Sequence, residues 1–130
     1  MAYDDPGVDI GTFTASADLS AKQFHFVKLD ANGKAAICAA ATDVPIGVLQ
    51  NKPTSGQAAT IVVVGVSKVS SDAALNEGDL IGTSSDAQAD AKTPGSDTTN
   101  YVVGQMITAT GGAGVIGTAA INAANPHRAA

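Results

Sequence analysis

Gly112-Ala113-Gly114-Val115-Ile116-Gly117 has the spacing G-x-G-x-x-G, in which glycines let a backbone approach a pyrophosphate. That chemistry needs a helix directly afterwards, a further strand and an acidic residue about 20 positions on. Only 13 residues of the sequence follow Gly117, with Pro126 among them, so the segment reads as a glycine-rich turn running into a strand. Asp30-Ala31-Asn32-Gly33 opens like a calcium loop, but the position where an EF-hand places its glutamate is Ala41. It reads instead as a tight hairpin turn, because Asn-Gly tolerates positive φ.

The remaining reactive side chains are scattered. His25 lies between Phe24 and Phe26, and neither it nor His127 has a partner at metal-ligand spacing on its own element. Cys38 sits among small apolar residues and reads as a core filler, not a nucleophile. A Cys38–His25 pair across a hairpin lacks a third, orienting group. No G-x-S-x-G occurs. Asp43, Asp72, Asp79, Asp86, Asp90 and Asp97 fall mostly in turn-like segments, as solvated carboxylates do. The expectation is a protein that is not an enzyme, with no catalytic residue, no cofactor and no metal.

The elements that would position these groups have period two. Strands are expected at Phe24–Leu29, Ala35–Cys38, Ile46–Leu49, Thr60–Val69, Leu80–Thr83, Gln88–Ala91, Tyr101–Ile107 and Val115–Ile121. The run Ile61-Val62-Val63-Val64-Gly65-Val66 is β-branched almost throughout, with a bulge or bend expected at Gly65. Ser71–Asn76 is the best helix candidate, a turn or two ended by Gly78. Turn clusters roughly every eight to twelve residues predict an all-β fold with little helix, either a small β-barrel or a sandwich.

A weak internal repeat runs through these strands. Phe26-Val27-Lys28-Leu29, a turn, and Ile46-Gly47-Val48-Leu49 are echoed by Leu80-Ile81-Gly82-Thr83, a turn, and Val103-Gly104-Gln105-Met106. Three regions follow: an N-terminal arm at 1–11, a β-rich body at 12–121 with a possible two-lobe pseudo-repeat, and a C-terminal arm at 122–130. Each arm reads either as a frayed end or as a segment that orders against a neighbour.

Composition narrows the function. In 130 residues, 45% are hydrophobic but only 15% charged, and net charge is −5. The pI of about 4.6 argues against nucleic-acid binding. The longest clean apolar stretch, Ile61–Val64, is far below the roughly 18 residues of a membrane span. One cysteine excludes an internal disulfide. The opening Met1-Ala2-Tyr3-Asp4-Asp5-Pro6-Gly7 is acidic where a secretory leader is basic, so synthesis and folding in a cytoplasm are expected. A surface of Ala, Gly, Ser, Thr and Asn loses little side-chain entropy on docking, which suits broad adhesion to a protein partner.

Three stretches carry a resemblance. They are Ile46-Gly47-Val48-Leu49-Gln50-Asn51-Lys52-Pro53-Thr54-Ser55-Gly56-Gln57-Ala58-Ala59, then Val66-Ser67-Lys68-Val69 with Glu77-Gly78-Asp79-Leu80-Ile81-Gly82-Thr83, and the ending Ile121-Asn122-Ala123-Ala124-Asn125-Pro126-His127-Arg128. In their order and spacing they resemble the capsid decoration, or cement, proteins of tailed bacteriophages, from about Phe13 to Arg128. The resemblance implies a β-barrel or β-tulip body bound to the outer surface of an expanded icosahedral head. It implies the major capsid protein as partner, self-association as a homotrimer at threefold or local threefold positions, and arms that reach onto capsid subunits. The arm residues offered for that contact are Tyr3, Asp4, Asp5, Pro6, Asn125, Pro126, His127 and Arg128. The competing reading is a small β module that binds host glycans on a virion, disfavoured by the absence of tryptophan.

Overall fold

A computed structural model describes residues 10–130. Ten of its strands form two antiparallel five-stranded sheets. The first contains β1 (Ile10–Thr14), β2 (Phe26–Leu29), β3 (Ala35–Ile37), β4 (Gly47–Leu49) and β5 (Ala58–Val62), in the order β1-β5-β4-β2-β3. The second contains β6 (Val64–Ser70), β7 (Leu80–Thr83), β8 (Ala89–Ala91), β10 (Gly104–Met106) and β11 (Ile116–Asn122), in the order β6-β11-β10-β7-β8. Between β8 and β10 lies β9 (Tyr101–Val102), which pairs with the last strand, β12 (His127–Arg128).

The two orders are the same once β1, β5, β4, β2 and β3 are matched to β6, β11, β10, β7 and β8. Register repeats as well. Val27 faces Gly47 in the first lobe, and Ile81 faces Gly104 in the second. One parallel bridge joins the outer strands of each sheet, Ala15 to Ala35 and Ser71 to Ala89. Each sheet therefore curls until its outer strands touch, without closing through a continuous ladder.

The hairpin turns repeat with different chemistry. Asp30 Oδ1 accepts the amides of Asn32 (2.8 Å) and Lys34 (2.9 Å), an Asx turn. In the second lobe Ser84 Oγ accepts the amides of Asp86 (3.1 Å) and Gln88 (3.2 Å). The residue that needs positive φ is Gly33 (73°) in the first turn but Ala87 (63°) in the second. A methyl group in the left-handed region costs roughly 1–2 kcal/mol. Ala87 is fully buried, so its side chain contributes packing that a glycine could not.

Several elements differ from the sequence expectation. The run Thr60–Val69 is two strands in different sheets. The chain breaks at Val63, whose carbonyl accepts the Ala123 amide, and Gly65 follows at φ 140°. Ser71–Asn76 is not helical: Ser71 and Leu75 are buried and bridge to Ala89 and Thr110, so strand neighbours take the backbone groups a helix would use. At the ends, β1 begins at Ile10, inside the span read as an arm, with Gly11 opposite Ile61. Asn122 belongs to β11, and the residues after it fold back onto the second lobe.

Hydrophobic side chains divide by face, as alternation requires. Inside the first lobe, Val27, Leu49, Ile61 and Leu19 pack together. Inside the second, Val69, Leu75, Ile81, Met106 and Ala119 do the same. The other face of the first sheet presents Phe26, Val48 and Val62, and these join the second lobe's cluster. This seam is also hydrogen-bonded. The Phe26 amide donates to Ala87 O (2.7 Å), the Ser70 amide to Phe24 O (2.9 Å), and Gln50 Nε2 to Ser67 Oγ (2.8 Å).

Candidate interaction surface

The carboxylates serve turns and loop ends. Asp18, Asp30, Asp79 and Asp97 accept backbone amides two to four residues away. Asp43 does more: its Oδ2 accepts the amides of Ala39 (2.8 Å) and Ala40 (3.0 Å) and the Lys28 ammonium (2.9 Å). Partial burial pushes this carboxyl up, but the Ala39 amide, Lys28 and the Ala40 amide outweigh it and hold it below the usual value. A depressed folded-state pKa contributes stability above the unfolded value, about 3.9, and that contribution fades as pH falls through the folded value. Asp43→Asn is therefore expected to flatten the acid side of the stability curve. Urea unfolding of both proteins between neutral and acid pH measures this; parallel curves would contradict it.

The two residues weighed as a nucleophile and its base are Cys38 and His25. Cys38 is buried in the seam. Burial pushes its thiol up to about 12, opposed by a hydrogen bond with Thr83. A thiol so protonated and enclosed is expected to resist iodoacetamide at neutral pH in the native protein and to react once urea unfolds it. Rapid native alkylation, followed by mass spectrometry, would overturn that assignment. His25 Nδ1 lies 3.0 Å from its neighbour Gln23's carbonyl, which orients the ring locally. Among the described residues no three His, Cys, Asp or Glu side chains cluster as a metal site.

The second lobe has a buried cation. Lys92 Nζ donates to Asp90 Oδ2 (3.0 Å) and Asn100 Oδ1 (2.9 Å), and its side chain is only 2% exposed. This polar knot braces the loop 93–100 against β8, and the C-terminal segment closes over that loop. The Gly95 amide donates to Ala129 O and the Ala129 amide to Asn100 O, while Ala129 itself is buried.

Of the residues proposed for partner contact, Tyr3, Asp4, Asp5 and Pro6 lie outside the described residues. The other four sit together on the second lobe. Asn125, His127 and Arg128 are exposed and Pro126 is half-buried. His127 pairs with Val102 and Arg128 with Tyr101. The Arg128 guanidinium lies 5.8 Å from the centre of the Tyr101 ring, within cation–π range. The C-terminal residues are thus anchored to their own body by main-chain pairing, with polar side chains facing outward.

Beside them lies an open groove of about 290 Å³. Its floor comes from Leu80 on β7, Val103 and Gln105 at β10, and Ala120 on β11; Asn125 and His127 form one wall. The sequence reading missed this floor. Its residues come from three separate strands, and only the repeat phrases Leu80-Ile81-Gly82-Thr83 and Val103-Gly104-Gln105-Met106 hinted that they share a sheet.

No family model matches the chain, and no curated protein matches it. Among solved structures it is similar to the head fiber gp8.5 N base in bacteriophage phi29, with a TM-score of 0.65. Identity is 18%, and the match covers 88% of this chain and 96% of that one. At this identity the likeness shows a shared all-β fold along nearly the whole of both chains.

Proposed function

We propose that this chain is a structural protein of a bacteriophage virion, one that binds the outer surface of an expanded icosahedral head and clamps adjacent major capsid subunits. The observation that carries the reading is the fold shared with a phage head fiber base over almost all of both chains. The use of turn carboxylates as backbone acceptors and the burial of the lone thiol fit a molecule that adheres and does no chemistry.

The mechanism is multivalent. A clip that touches several shell subunits makes each later contact intramolecular, so avidity can exceed single-site affinity by about 10²–10⁴-fold. Binding the expanded lattice alone stabilises that lattice by mass action. In this reading the segment before β1 supplies one of the contacts. The test mixes purified protein with expanded heads that lack it and, separately, with host polysaccharide. Cosedimentation with heads is expected. Deletion of residues 1–9, which spares β1, is expected to weaken docking and leave the circular dichroism spectrum unchanged. Capture by polysaccharide alone would overturn the reading in favour of a glycan-binding module.

A further inference from the structure

Lys92 Nζ stands between a carboxylate and a carboxamide. Asp90 Oδ2 is 3.0 Å away and Asn100 Oδ1 2.9 Å, while the lysine side chain is 2% exposed. Two acceptors face the three protons of a buried ammonium, and the carboxylate among them is 38% exposed. A buried charge so placed is costly to keep, because its counter-charge is shared with water. The fold does not demand a cation here. By register Ala91 stands where Ile37 does, so Lys92 takes the place of Cys38 in the first lobe, and Asp90 that of Ala36. Room for the lysine is made on β7: a methyl group at Gly82 would lie 3.1 Å from Lys92 Cε and 3.3 Å from its Cγ.

Asn100 is held in place by its backbone. Its amide donates to Asp97 O (2.9 Å), and its carbonyl accepts the Ala129 amide (3.0 Å). Asp97 Oδ2 accepts the Thr93 amide (2.6 Å), which ties the loop back to the residue after Lys92. The carboxamide nitrogen makes a long contact, 3.3 Å to Thr99 Oγ1, and its residue is half-buried, so a group leaving from Nδ2 has a way out. A carbonyl bond is about 1.2 Å long, so Nζ lies within roughly 4.1 Å of Asn100 Cγ. A near-attack separation is about 3–3.5 Å, and a small turn of the carboxamide supplies the difference.

We propose that Lys92 and Asn100 condense within the folded chain to an isopeptide bond, with Asp90 as the base and ammonia as the leaving group. The Asp90 carboxylate takes a proton from the ammonium and frees the Nζ lone pair, the form in which a lysine is a nucleophile. Nζ attacks Cγ, the Nζ–Cγ bond forms, and the carbonyl pair moves to Oδ1. Asp90 returns its proton to Nδ2 and accepts a second one from Nζ. The Cγ–Nδ2 bond breaks, the pair on Oδ1 restores the carbonyl, and ammonia leaves, taking the proton held by Asp90 as ammonium. The product amide carries no charge, so the cost of burying the ammonium disappears. The bond also locks the loop between Lys92 and Asn100, over which the C-terminal segment closes. The step occurs once in each molecule, turns over no substrate and stands apart from the virion reading.

Mass spectrometry of the purified full chain tests it, after prolonged incubation of the folded protein at neutral pH and physiological temperature. The wild type is expected to weigh about 17 Da less than its sequence, with or without Met1, which is the mass of one ammonia. After denaturation, trypsin is expected to leave the chain uncut after Lys92, and fragmentation to return a branched peptide joined from Lys92 to Asn100. Asp90→Ala and Asn100→Ala are each expected to show the full mass of their own sequence and to be cut after Lys92, with circular dichroism reporting whether they fold. The wild-type peptide decides the matter even where a variant does not fold. A wild type of full mass would overturn the proposal. So would a loss of about 17 Da with trypsin cutting after Lys92, which marks a succinimide at an asparagine, or a branched peptide that still forms in folded Asp90→Ala.

Discussion

Replacing Phe26 by alanine is expected to lower the free energy of unfolding by about 3–5 kcal/mol, the range for truncating a buried phenylalanine. The ring is 1% exposed and lies where the two lobes meet. Both sides of the resulting cavity are strand backbone in fixed register, β2 against β4 on one side and the β7–β8 hairpin on the other. Neither can slide inward without breaking ladder hydrogen bonds, so little of the cavity would close. A single domain has only about 5–15 kcal/mol to lose, so the loss would be a large share of the total. Leu29→Ala, on the same strand but 44% exposed, is the control and is expected to change stability by less than about 0.5 kcal/mol. Urea unfolding of the wild type and both variants gives the comparison. A Phe26→Ala loss below about 1 kcal/mol would mean that the seam packs loosely and that the lobes hold together chiefly through Phe26 N–Ala87 O and its companion hydrogen bonds.

Much of this architecture was legible because alternation and turn chemistry agree locally. Leu80–Thr83 was read with the bounds the structure gives it, and Ile46–Leu49 lies one residue from β4. Asp30-Ala31-Asn32-Gly33 forms its expected turn, since a carboxylate accepts the turn amides and glycine supplies the positive φ. The errors arise where tertiary contacts override local preference. The β-branched run at 60–69 looks like one strand because every residue favours extension, yet the chain changes sheets within it. β1 was missed because Gly11-Thr12-Phe13-Thr14 has little apolar character, and its partner is the edge of β5. Phe24 and Ala87 carry positive φ where a sequence reader would look for glycine. In each case the other lobe does have glycine at the matching position, Gly78 for Phe24 and Gly33 for Ala87. Asn125, Pro126, His127 and Arg128 read as part of an arm because Asn-Pro breaks regular structure, but the pairing of His127 and Arg128 with Val102 and Tyr101 depends on a distant segment that no local signal announces.

Gly47→Ala is expected to destabilise by at least the 1–3 kcal/mol typical of overpacking, for a reason that applies again at Gly104. A methyl group at Gly47 would fall on the carbonyl oxygen of Val62, with Ile61 Cγ2 at 2.5 Å. At Gly104 it would meet Ala120 O at 2.5 Å and Ile121 Cδ1 at 3.1 Å. By register Gly104 and Ala120 occupy the places of Gly47 and Val62, so each curled sheet makes the same close approach, between β4 and β5 in the first and between β10 and β11 in the second. The obstacle is backbone in both cases, and a backbone atom in a ladder cannot rotate aside as a side chain can. Gly111→Ala supplies the contrast, because nothing lies within 4 Å of its added carbon, and it is expected to be near neutral. Urea midpoints for the three single variants, read by circular dichroism, decide the matter; Gly47→Ala behaving like Gly111→Ala would show that the sheet opens at no cost. The double variant Gly47→Ala/Gly104→Ala then reports how tightly the lobes are coupled. Distant independent sites add to within about 0.3–0.5 kcal/mol, whereas a shortfall larger than that would mean that loosening one lobe has already released the other through Phe26 and the seam.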